Sequence, residues 1–92
     1  MAQTVVVTAG TAALDSSTIV IAAGAIYTFC IYASTGAVQS DHAADIVYDT
    51  PGGDVSIGYL SNSFPAIQVQ GPAQVIIRKY LSTTACGVLQ EA

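Results

Sequence analysis

Tryptophan is absent from this 92-residue chain, and it has two basic residues, two cysteines and one histidine. Charged residues of either sign make up only 9% of it, against roughly 25% in an ordinary soluble domain. Each shortage excludes something. Binding of nucleic acid through its phosphates needs clustered Lys and Arg. Here Arg78 and Lys79 are adjacent in sequence, and adjacent strand residues point to opposite faces, so even this pair is not a patch. Nucleic acid is therefore not an expected partner.

The single imidazole limits metal chemistry. Zinc wants three or four convergent His, Cys or carboxylate ligands, and His42 stands among Asp41, Asp45 and Asp49 only. A calcium loop wants oxygens at close alternating spacing with a glycine bend, whereas these aspartates are four apart. The segment reads as a solvated acidic loop. Ser40 and His42 lack a Gly-x-Ser-x-Gly elbow, and no helix N-terminus is expected to stabilise an oxyanion. Gly52-Gly53 is followed by neither a helix nor a P-loop lysine, so it is a turn. The expectation is a protein that is not an enzyme and needs no cofactor or metal.

Cys30 and Cys86 each fall inside a strand-like stretch. They read either as buried thiols acting as small apolar residues or as an inter-strand disulfide, whose separation spacing does not fix. The redox compartment stays open. Met1-Ala2-Gln3-Thr4 has no positive residue and runs directly into Val5-Val6-Val7, so a signal peptide is not expected. The apolar run from Ile19 to Ala33 looks like a membrane span at first sight. It is interrupted by Ala22-Ala23-Gly24, is β-branched on both sides, and has acidic flanks without Lys or Arg. A membrane helix is not expected.

What the chain does have is Val, Ile, Thr and Tyr in short runs between turn residues. Hydrophobic residues are 52% of it. The plainest stretch is Ile46 to Tyr80. Ile46-Val47-Tyr48 and Val55-Ile57-Tyr59 flank Pro51-Gly52-Gly53, which predicts a hairpin with a loop of about four or five residues. Alternation would put Val55, Ile57 and Tyr59 on one face and Ser56, Gly58 and Leu60 on the other. Gly71-Pro72 reverses the chain between Ile67–Val69 and Val75–Ile77. Further strands are expected at Gln3–Thr8, Thr18–Ile21, Ala25–Ala33 and near Cys86–Gln90, with a turn at Asp15-Ser16-Ser17 and a long loop from Ser34 to Ala44.

About eight short strands at even spacing predict an all-β fold, a small antiparallel sandwich or barrel, immunoglobulin-like or jelly-roll-like, formed by residues 1–92 as one domain. A curled sheet completed by a partner chain, or strand exchange between subunits, is the alternative architecture. In the strand from Ala25 to Ala33 neither face is polar: Tyr27, Phe29 and Ile31 alternate with Ile26, Cys30 and Tyr32. A strand with one wet side should alternate apolar with polar, so a partner is expected to cover the outer side. Tyrosine suits interfaces because its body is apolar and its tip polar. Ile26, Tyr32, Phe64 and Tyr80 are the candidate subunit-interface residues; core filling and sugar contact remain alternatives for the tyrosines.

From Ile46 onward the order is strand, Thr50-Pro51-Gly52-Gly53, a strand with Gly58-Tyr59-Leu60, Phe64-Pro65, Gly71-Pro72-Ala73, a strand ending in Arg78-Lys79, and Cys86-Gly87-Val88. This half of the chain resembles a group of small β-rich virion proteins of tailed bacteriophages. In them a Thr-Pro-Gly-Gly-type hairpin precedes Gly-Pro-Gly-x-Tyr, a Val/Arg-rich strand and a short terminal strand with Gly-Val. Ala73 stands where that group often has glycine, and Val75 where it often has an aromatic. The resemblance implies a structural protein of the particle: a capsid decoration or head-spike subunit, or a small tail or fibre component. Its implied partners are further copies of itself, as a homo-oligomer, and virion proteins such as a major capsid protein. It would be made in the host bacterial cytoplasm. A module binding host-surface glycans or proteins is the rival expectation.

Overall fold

The computed structural model describes residues 3–91. Met1, Ala2 and Ala92 lie outside the described residues, and so does the side chain of Asp49. The described strands are β1 (Gln3–Gly10), β2 (Leu14–Asp15), β3 (Ile19–Ile21), β4 (Ile26–Ala33), β5 (Ala43–Thr50), β6 (Gly53–Ser61), β7 (Ala66–Gln70), β8 (Ala73–Lys79) and β9 (Cys86–Glu91). The first sheet has the order β1-β9-β4-β7, and the second β2-β8-β5-β6 with β3 also on β8. All pairings are antiparallel. The chain is thus an all-β sandwich.

β2 and β3 share one partner: Leu14 pairs with Lys79 and Ile19 with Val75. They are one strand interrupted at residues 16–18, where Ser16 stays attached to Ile77. Its amide donates to the Ile77 carbonyl at 2.8 Å and its hydroxyl accepts from the Ile77 amide at 2.9 Å. Counted that way the strand positions number about eight, as expected. Their pairing is nested: β5 with β6, β4 with β7, β2/β3 with β8, and β1 with β9. Antiparallel pairs rolled up in this order make a jelly roll. Of the two expected topologies, this is the one present.

The innermost pair is the expected hairpin, with a shorter loop. Thr50 pairs with Gly53, leaving Pro51-Gly52 as the connection. Gly53 takes φ +114°, a conformation open to glycine, and the Thr50 hydroxyl donates to its carbonyl at 2.5 Å. Simple alternation along β6 is overturned. Ile46 pairs with Gly58 and Val47 with Ser56, so Ile57 is the extra residue of a bulge. Val55 therefore lies on the core-facing side with Gly58 and Leu60, opposite to Tyr59. Gly58 leaves room there: a Cβ would stand 3.2 Å from the Cδ1 atoms of both Ile46 and Ile67.

Gly71-Pro72 does not close a hairpin. β7 belongs to the first sheet and β8 to the second, so this turn is a corner that carries the chain across the sandwich. The peptide bond there is cis. Beside it runs the other corner, from β3 to β4, and the Gly71 amide donates to the Ala25 carbonyl at 2.9 Å. A side chain at Gly71 would collide with the backbone of Ile21 and Ala22. The run from Ile19 to Ala33 is thereby explained as two strands in different sheets joined by a corner. No helix of the described residues is long and apolar enough to cross a membrane.

Both sheets contribute to one core. Val7, Phe29, Ile31, Cys86 and Val88 come from the first; Ile21, Ala44, Ile46, Leu60, Val75 and Ile77 come from the second. On β4 it is Phe29 and Ile31 that face inward, leaving Ile26, Cys30 and Tyr32 on the outer side.

Candidate interaction surface

The outer face of the second sheet carries a polar and aromatic row. Register sets Tyr59 beside Asp45, Asp45 beside Arg78, and Arg78 beside Asp15. Tyr80, just past β8, donates its amide to the Ala43 carbonyl at 3.0 Å and its hydroxyl to the Asp45 carboxylate. That hydrogen bond, helped by partial burial and the carboxylate's charge, raises the phenol above its usual range, so it remains a neutral donor. The Tyr59 and Tyr80 rings lie 6.3 Å apart at 45°, and they are 52% and 40% exposed. Two tilted aromatic faces beside a carboxylate and a guanidinium can stack on a flat or ring-shaped group and hydrogen-bond its edge.

Arg78 also spans the sheet. Its guanidinium lies 3.4 Å from Asp15 on β2 and 3.4 Å from Asp54 on β6. Since β5 lies between β8 and β6, the side chain must cross β5 at the level of Val47. Val47 points outward yet is only 3% exposed, which that crossing accounts for. Lys79, its neighbour, turns inward and is 1% exposed. Its amine donates to the carbonyls of Gly10, at 2.9 Å, and Ala12. The basic pair is thus split between the two sides, as strand geometry requires.

His42 corrects the reading of a solvated acidic loop. It is fully buried. Its Nδ1 accepts from the Gln39 amide at 3.1 Å, and its Nε2 lies 2.6 Å from the Thr84 hydroxyl. An accepting Nδ1 leaves Nε2 to carry the proton and donate it to Thr84. Asp41 latches the same two loops, accepting from the Thr83 amide at 2.7 Å and hydroxyl at 2.6 Å. Those bonds hold its carboxyl below the usual carboxylate range. The histidine and its neighbouring aspartate tie the β4–β5 loop to the β8–β9 loop. Among the described residues no group of three His, Cys, Asp or Glu is placed to hold a metal ion.

The four interface candidates fall in separate places. Ile26, 52% exposed, and Tyr32 both lie on the outer face of the first sheet. Six residues apart, they are separated by about 20 Å along β4. Phe64 sits in the β6–β7 loop, 68% exposed. Tyr80 belongs to the second sheet's aromatic row. Tyr32 has a defined seat: its ring lies over Gly87, where a Cβ would come 3.0 Å from its Cζ and 2.6 Å from the Val7 carbonyl oxygen. The cysteines are free. Cys30 stands on the outer side of the first sheet and Cys86 in the core, so one chain cannot join them.

Sequence reasoning missed the Tyr59–Tyr80 pair and an open groove of about 400 Å³ beside the corners, lined by Val20, Ala22, Tyr48, Pro72 and Gln74 among others. The tyrosines meet through the strand order β8-β5-β6 and the groove through how two corners stack, and no local signal marks either.

A scan against protein-family models and a search of curated proteins both give no match. Among solved structures the chain is similar to the SPBc2 prophage-derived protein YomS, with a TM-score of 0.70 over 97% of this chain and 88% of that one, at 12% identity. The two share a fold.

Proposed function

We propose that this chain is a non-enzymatic structural protein of a bacteriophage particle. It acts as a capsid decoration or head-spike subunit through β-rich contacts with copies of itself and with virion proteins such as a major capsid protein. It is made in the cytoplasm of a bacterial host. The observation that carries this reading is the jelly-roll path followed almost end to end by a prophage-derived protein. Three further points support it. Jelly rolls recur in viral capsid domains. The turn chemistry of residues 46–88 independently resembles small phage virion proteins. The one imidazole, the natural first candidate for acid–base work, is buried and engaged at both nitrogens in holding loops together.

Particles purified from the producing host test it. Mass spectrometry is expected to find the chain at fixed stoichiometry with the shell proteins, and cryo-electron microscopy to place it at a repeated position. A chain present in the lysate but absent from purified particles overturns the reading.

A host-surface binding module is the second reading, favoured by the exposed Tyr59–Tyr80 pair beside Asp45 and Arg78. There, Tyr59→Ala is expected to abolish retention on an oligosaccharide array without changing the melting temperature. A tail or fibre position is distinguished from a head position by the same images.

A further inference from the structure

Resting on the assembly role proposed above, we infer that the outer face of the first sheet is the surface through which two copies of this chain pair, sheet against sheet.

The register defines that face. Val5 pairs with Leu89, Leu89 with Cys30, and Cys30 with Ala66, so an apolar row runs across β1, β9, β4 and β7. The next row along is Gln3, Glu91, Thr28 and Gln68. Ile26 and the seated Tyr32 lie on β4 to either side. Val5 and Ile26 are more than half exposed.

Charge singles this face out. The chain has a net charge of −4, so copies repel in most orientations. Strands of the second sheet carry Asp15, Asp45, Asp49, Asp54, Arg78 and Lys79, whereas those of the first carry Glu91 alone. That carboxylate is held along the sheet by the Gln3 amide, which donates to it at 3.2 Å. Two first-sheet faces therefore approach with the least like-charge repulsion that this molecule offers.

Area is sufficient as well. The molecule measures 35 × 32 × 21 Å, so its broad face accommodates the roughly 800 Å² per partner of a stable interface. The competing edge, β6, is bulged at Ile57 in its middle, a device that discourages edge-to-edge pairing. The Tyr32 ring is already fixed over Gly87, so little side-chain freedom is lost there on association.

Sedimentation of the full chain, with Cys30 alkylation by iodoacetamide, tests the pairing. Cys86, buried in the core, is the unreactive internal reference. The wild type is expected to be dimeric by about 100 μM, with Cys30 alkylation slowing as protein concentration rises. Val5→Lys and Ile26→Lys are each expected to weaken the dimer at least about tenfold and to make the Cys30 rate independent of concentration. Both sites are exposed, and melting temperatures equal to the wild type's at a dilution where all are monomeric certify folding. Val55→Lys, close to the β5–β6 turn and 51% exposed although on the core-facing side, is expected to leave the dimer intact. A wild type that is monomeric at every concentration overturns the inference, as does a Cys30 rate that never varies or a Val55→Lys variant that dissociates as readily as Val5→Lys. A monomer still found on particles sinks this pairing alone; a dimer absent from particles sinks the virion role alone.

Discussion

The two sheets are built from similar strands but held by different means. The second is laced by polar side chains: Arg78 reaches Asp15 and Asp54, Tyr80 reaches Asp45, and Lys79 reaches carbonyls beneath. The first has almost no such links, and fits through backbone approach at glycine. The Val7 carbonyl lies 2.6 Å, and the Ala9 amide nitrogen 2.9 Å, from where a Gly87 side chain would begin. One sheet carries its charge on the outside, where Arg78 pairs with Asp15 and Asp54. The other presents a nearly chargeless exterior whose apolar row has no partner among the described residues. The same core thus supports two different surfaces, one charged beside an exposed aromatic pair and one nearly chargeless and suited to contact.

That contrast can be broken most severely at the glycines. Gly71→Ala and Gly87→Ala each drive a methyl into backbone, which cannot move aside as a side-chain tip can. Each is expected to destabilise by about 3 kcal/mol or more, the upper end for overpacking, as read from urea denaturation. Equal stability to wild type would show that the close approach is not real.

Removal of the buried amine comes next. Lys79→Met keeps the stem but leaves the Gly10 and Ala12 carbonyls without that donor. A loss of about 2 kcal/mol is expected from the missing hydrogen bonds, again by denaturation. A neutral result would mean that water replaces the amine.

Arg78→Ala should be milder still, because both its ion pairs are exposed. What sharpens the comparison is salt. The wild-type advantage over this variant should shrink as ionic strength rises through the screening range, whereas the glycine variants should show no salt dependence.

The smallest effect concerns Asp41. Its carboxyl titrates below the usual range when folded, chiefly because of the Thr83 hydroxyl. Its contribution is therefore fully present above the unfolded value of about 3.9 and is lost as pH falls through the lower folded value. Asp41→Asn should differ from wild type at pH 7 and converge with it below about pH 4, followed by thermal melts across that range.

Much of this architecture was legible in the residues. Val, Ile and Tyr between turn signals mark β1, β4, β8 and β9, and the Pro51-Gly52 hairpin is where its chemistry places it. Alternation on β4 set Phe29 and Ile31 apart from Ile26, Cys30 and Tyr32, but two-sided apolarity left open which set faces inward. Other features were not legible, each for a physical reason. Turn chemistry at Gly71-Pro72 records a reversal but not which sheet receives the chain. The bulge at Ile57 inverts the side on which Val55 sits, since one extra residue resets alternation. His42 looked wet because its neighbours are acidic, yet it is buried and bonded to Thr84, far along the chain. Tyr59 and Tyr80 meet because β5 passes between β6 and β8, a fact of topology and not of spacing.

The nested pairing also has a kinetic consequence. β5 and β6 are joined by two residues and close a very short loop, whereas Gln3 meets Glu91 only after almost the whole chain has been gathered in. Loop-closure entropy grows with each outer layer, and topologies rich in distant contacts fold slowly. Assembly of the roll is expected to start at Pro51-Gly52 and proceed outward, with β1 and β9 last to gain protection in pulsed hydrogen exchange. Those two strands form half of the apolar row on the first sheet's exterior, so the surface suited to contact would be completed only when the subunit itself is finished.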